Sequence, residues 1–171
     1  MMNSKGLALL AIFLCLVQAT ASAASVGTIE KKIEADRLLK KGRIEKAVPL
    51  YEEVIRENKR FSNAYYNLAT AYYLEGKLEK AVQNLEAFLR IEPLDIEARY
   101  NLGCLKLRMG KFEEAQKHFQ WALDGPSRSS LFLPKIKEAL LLLKDLHNQN
   151  PQNRQLLAYL LTGSERNLLA A

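Results

Sequence analysis

Sliding the chain by 34 residues lays its centre over a second copy of itself, and this repeat restricts the possible folds more than any other feature. From the stretch Ser62 to Asp95, Tyr66, Asn67 and Leu68 land on Tyr100, Asn101 and Leu102, Gly76 on Gly110 and Ala81 on Ala115. In the other direction Gly76 and Ala81 land on Gly42 and Ala47. The match is sharpest at mid-copy, where the segments opening at Gly42, Gly76 and Gly110 read GRIEKA, GKLEKA and GKFEEA. A period of this length with one glycine turn predicts one helical hairpin per copy, too small to bury its own apolar face and stable only when stacked on neighbours. The expected fold is therefore all-α, an α-solenoid of antiparallel helix hairpins.

Residue size supports the same geometry. In each copy a first helix ends at a Gly able to take the left-handed conformation, a charged turn follows, and a second helix opens with a Glu near its positive end. Small residues recur where helices must approach closely: Ala35, Ala69 and Gly103 in the first helices, Ala47, Ala81 and Ala115 in the second. Large ones fill the gaps: Leu38 and Tyr72 on first helices, Tyr51, Leu85 and Phe119 on second helices. In this register the chain resembles the tetratricopeptide repeat family over Thr28 to Ser129, with copies at about 28–61, 62–95 and 96–129. Departures from the family pattern are local. Lys106 stands for an aromatic or aliphatic residue and is expected to snorkel to solvent; Lys59 stands where Pro93 closes the second copy; Val54 and Phe88 replace the small residue that Ala122 retains.

Beyond the repeats the 34-residue phase breaks at Asp124 to Ser130, a run rich in Gly, Pro and Ser that reads as a loop. Pro134 to His147 then reads as one amphipathic helix and the segment from Arg154 to about Leu161 as another, so residues 130–171 are expected to form capping helices. If Pro151 is equivalent to Pro93, then Ala139 and Leu143 match Ala81 and Leu85, as in a degenerate fourth copy. Either way the end of a solenoid must cover its last apolar hairpin.

The first residues differ in kind from the rest. Met1 to Lys5 is basic, Gly6 to Val17 is an unbroken apolar run of 12 residues, and Gln18 to Ser25 is small and polar, the layout of a secretory leader with cleavage near Ala23. That run falls short of the roughly 20 residues that cross a bilayer, so contact with a membrane is expected only through the transient leader. With residues 1–23 removed, Cys104 is the one remaining cysteine and no internal disulfide can form. A periplasmic or secreted location follows as an expectation, and the absence of an Asn-x-Ser/Thr acceptor after the leader leans it toward a bacterial envelope. The net charge of +6 is interleaved with glutamates along the helices, which describes solvated faces rather than a nucleic-acid surface.

Nothing in the sequence assembles a catalytic centre. His118 and His147 have no partner at metal-ligand spacing and read as surface residues; no nucleophile elbow, phosphate loop or HExxH occurs. No enzyme activity, cofactor or metal is expected. The family resemblance instead implies a groove lined by first helices that receives an extended segment or a helix of another protein, for assembly or scaffolding. Carried over residue by residue, it places Lys32, Asn63, Tyr66, Asn67, Tyr73, Tyr100, Asn101 and Arg108 along that surface. Asn can pair with a peptide backbone and Tyr adds apolar area at low entropic cost. The resemblance does not extend to members that clamp a terminal carboxylate with cations and amides, because Asp36, Glu97 and Asn101 stand at three of the five places and the two acids would repel it. The alternative expectation is an accessory subunit of an envelope enzyme or secretion complex, acting through the carboxy-terminal helices.

Overall fold

In the computed structural model, residues 26–125 and 132–147 are described, the last three as backbone alone. The leader and everything beyond His147, including Pro151 and the expected last helix, lie outside the described residues. The described chain forms seven helices and no strand. They are α1 (26–40), α2 (Ile44–Glu57), α3 (Ser62–Leu74), α4 (Leu78–Ile91), α5 (Ile96–Arg108), α6 (Phe112–Asp124) and α7 (Leu133–His147). Successive helices pack on one another from α2 onward, so the core is a strip threading the stack rather than a central ball.

Each hairpin turns at the expected glycine. Gly42, Gly76 and Gly110 have φ of +69°, +73° and +72°, a region that costs a residue with a Cβ but not glycine. The residue after each glycine reaches back five positions, with Arg43 N–H to Leu38 C=O at 2.9 Å, Lys77 to Tyr72 at 2.8 Å and Lys111 to Lys106 at 2.9 Å. This pairing satisfies carbonyls that the helix end would otherwise strand. Three turns with the same backbone geometry let one hairpin unit recur along the chain.

The small residues do what their size allows. Ala35, Ala47, Ala81 and Ala115 are wholly buried and Ala69 nearly so, each where a neighbouring helix approaches closely. Gly103 is the extreme case: a Cβ there would stand 2.5 Å from Phe119 Cε1, so in the third hairpin the Phe119 ring comes closer than a methyl would allow. The departures at positions 54 and 88 are also buried, and Phe88 stacks edge-on against Tyr66 with ring centroids 5.3 Å apart.

Lys106 departs from the snorkelling expectation. Its side chain is 8% exposed, and its ammonium pairs with Glu114 of α6 at 2.8 Å and Glu86 of α4 at 3.4 Å, so carboxylates rather than free water receive it. Burial pulls its pKa down, but Glu114 and Glu86 outweigh that and leave it above the ordinary lysine value.

His118 is half-buried rather than a surface residue. Burial, then Arg99 and Lys106, lowers its pKa, with Glu86 and Glu114 opposing. A histidine kept neutral in the fold binds more protons when unfolded, so its contribution is complete above the unfolded value of about 6.5 and is lost as pH falls through the folded one. Urea titrations from pH 7.5 to 5 should therefore show a shallower acid-side loss of stability in His118→Gln than in the natural chain. Equal slopes would refute this assignment.

Candidate functional site

The first helices line a cavity of about 460 Å³. Lys32, Asp36, Leu39 and Lys40 enter it from α1, Asn63, Tyr66, Asn67 and Thr70 from α3, and Asp95 and Glu97 from the start of α5. Tyr51 of α2 and Phe88 of α4 reach it from the second helices. Of the residues expected along the groove, Lys32, Asn63, Tyr66 and Asn67 are thus brought together. Phe88 was missed as a lining residue, although its size at a position where the third copy has Ala122 was a legible signal that it reaches past its own hairpin.

Polar contacts inside the cavity run from one hairpin to the next. Asp36 accepts from the Tyr51 hydroxyl at 2.7 Å and the Asn67 amide at 2.8 Å through one oxygen, and pairs with Lys32 at 2.6 Å through the other. Tyr66 donates its hydroxyl to Glu97 at 3.0 Å and accepts from the Asn101 amide at 2.7 Å. Further along, Arg108 donates to the Tyr73 hydroxyl and lays its guanidinium 4.9 Å from that ring's centre. These cross-unit partners are separated by 31 or 35 residues. In a 34-residue repeat that places each partner within one helical turn of the equivalent position in the next copy.

The buried phenols act as fixed donors. Burial, then the hydrogen bond to Asp36, pushes the Tyr51 phenol well above its usual pKa, and burial followed by the nearby Glu97 charge does the same to Tyr66. Both keep their protons across the physiological range, so Asp36 and Glu97 are each held by a neutral donor that does not cancel their charge.

Four expected groove residues lie elsewhere. Tyr100 and Asn101 are each only 2% exposed. Tyr100 is enclosed by Phe119 and Phe132, with ring centroids 5.7 and 5.6 Å away, because the chain beyond α6 returns and α7 lays Ile136 and Ala139 into the same cluster. Asn101 is drawn under Tyr66 by its hydrogen bond. Tyr73 is buried against Arg108, and neither lines the cavity. α7 packs on α6, as α3 packs on α2 and α5 on α4.

Among the described residues no three His, Cys, Asp or Glu side chains gather closely enough to hold a metal ion. No described helix is long and apolar enough to cross a membrane. Cys104 is buried in the α5–α7 cluster.

Two family models, each described as a tetratricopeptide repeat, match residues 34–96 and 96–124, together more than half of the chain. Comparison with curated protein sequences returned no match. Among solved structures, the chain is similar to the Yersinia enterocolitica type III secretion chaperone SycD in complex with a peptide of the translocator YopD. The TM-score is 0.63 at 14% identity, covering 67% of this chain and 90% of that one. It is also similar to the Arabidopsis OM64 TPR domain, with a TM-score of 0.61 at 21% identity over 71% and 98% of the two chains. A third likeness is to the first TPR of Spaghetti (RPAP3) bound to the HSP90 peptide SRMEEVD, with a TM-score of 0.57 at 20% identity over 67% and 93%. At these identities the likeness establishes the shared fold.

Proposed function

This chain belongs to the tetratricopeptide repeat family, and from that premise we propose that it is a non-enzymatic protein-interaction module whose cavity between α1, α3 and α5 holds an extended segment or a helix of a partner protein. The observation that carries the proposal is the cavity itself: about 460 Å³ between first helices, with the Asn63 carboxamide beside apolar surface from Leu39 and Phe88. Such a mixture suits a polypeptide, whose backbone needs donors and acceptors while its side chains seek apolar cover. Two solved relatives of the same fold are recorded with peptides bound, which supports the same use here.

The module is proposed to work in a bacterial cell envelope, as an assembly or scaffolding factor delivered to the periplasm by the leader read in residues 1–23. Support for this part comes from the leader's three-part layout, and the mass of the exported protein would test it: a mature chain starting at Ala24 is expected.

A photo-crosslinking amino acid at position 63, on the cavity wall, should capture a partner from the native envelope fraction, whereas the same group at the exposed position 83 on α4 should not. With the crosslinker kept at position 63, Lys40→Trp on the α1 wall, which fills the cavity mouth, should abolish that capture while changing stability by no more than about 0.5 kcal/mol, as for other surface substitutions. Adducts formed from position 83 and not from 63 would move the site to the outer helices.

A further inference from the structure

The cavity is not uniform in charge. At its α1 wall stand Lys32 and Lys40, with Lys32 already paired to Asp36. At its α5 end stand Asp95 and Glu97, and a shallower contiguous pocket sharing Asn63, Phe88 and Asp95 adds Glu92. Among the described residues no Lys, Arg or His forms an ion pair with Glu92, Asp95 or Glu97. Their polar contacts are a backbone N–H from Ala98 to Asp95 at 2.7 Å and the Tyr66 hydroxyl to Glu97 at 3.0 Å. Apolar surface from Phe88, Pro93 and Leu94 lies beside these acids, and Leu94 is 62% exposed.

The geometry points to a ligand polarity: the partner segment carries a Lys or Arg side chain that seats against Asp95 and Glu97, next to an apolar side chain that covers Phe88 and Leu94. This assignment rests on the polypeptide-binding reading above and adds the chemical class of the ligand. Two carboxylates flanking one end of a groove attract a cation and repel a carboxylate, and the apolar flank suits the aliphatic stem of a long basic side chain. The acidic peptide SRMEEVD bound by one structural relative has the opposite character, so this groove selects against that kind of ligand.

A phage-displayed library of random dodecapeptides, panned against the full chain, provides the test. Selected peptides are expected to favour Lys or Arg over Asp or Glu by at least about fivefold, a ratio in keeping with partly exposed ion pairing. Asp95→Asn/Glu97→Gln removes both charges yet keeps the cap on Ala98 and an acceptor for Tyr66. That variant should still enrich peptides with the same apolar residues but lose the basic preference. Neutral or acidic winners on the natural chain, or a basic preference that persists in the double variant, would overturn the charge assignment and leave the peptide reading standing. Failure to enrich any peptide would bring down both. Winners that reproduce a stretch of this chain would give the groove to a second copy and overturn the assignment of a foreign partner.

Discussion

Phe119→Ala should cost about 3–5 kcal/mol, the range for removing a fully buried aromatic ring, and lower the urea midpoint by more than about 1 M. Phe119 is wholly buried, packs at a tilt against the Tyr100 ring and fills the space that Gly103 leaves by having no Cβ. Its loss opens a void where α5, α6 and α7 meet. The reverse change is informative as well. Gly103→Ala would drive a methyl to 2.5 Å from the Phe119 ring. The resulting strain of about 1–3 kcal/mol outweighs the up to about 1 kcal/mol that alanine contributes to a helix. Gly103→Ala/Phe119→Leu copies the Ala69 and Leu85 pair of the preceding hairpin, so it should recover part of the loss. Strict additivity of the two single losses in a double-mutant cycle would refute the claim that these residues compensate for each other.

Lys106→Glu should be nearly as damaging, at about 3 kcal/mol or more, because it places a buried carboxylate between Glu86 and Glu114, with no cation among the three. The introduced acid would have its folded pKa raised by burial and by its two like-charged neighbours. Its penalty would therefore be smallest in acid and grow as pH rises through that raised value, which denaturation at pH 4.5 and pH 8 can measure. Lys106→Met, by contrast, restores the apolar residue type of the repeat and leaves two half-exposed glutamates that water can solvate. It should stay within about 1 kcal/mol of the natural chain or exceed it. A large loss from Lys106→Met would mean that the ion pairs themselves hold α4, α5 and α6 together.

The two substitutions probe different layers of legibility. Gly103 and Phe119 could be read from the repeat, because steric size at a given register position depends on the neighbouring copies, which the sequence also displays. Lys106 could be seen as a departure but not resolved, since its outcome depended on whether carboxylates from two other helices could reach it. Asn67 and Asn101 were recognised as equivalent polar residues on first helices. What was not legible was that Asp36 and Tyr66 occupy their amide groups, although a polar residue followed by another 31 or 35 positions later was a usable signal for such a bond. Tyr100 was misplaced for a different reason: the 34-residue phase ends before the loop, so nothing in the pattern announced that Phe132 and Ile136 return to cover it.

From its sequence alone this protein's hairpins, turn glycines, helix order and stacked architecture were determined, because each depends on contacts within a copy or between adjacent copies at one fixed separation. Tertiary structure alone decided which polar side chains remain available to a ligand, how charge is divided between the α1 and α5 ends of the cavity, and that α7 packs over Tyr100. Those outcomes depend on competition among side chains from three or more helices for the same few hydrogen-bonding and apolar positions, and a one-dimensional period records where such residues occur but not which of them win.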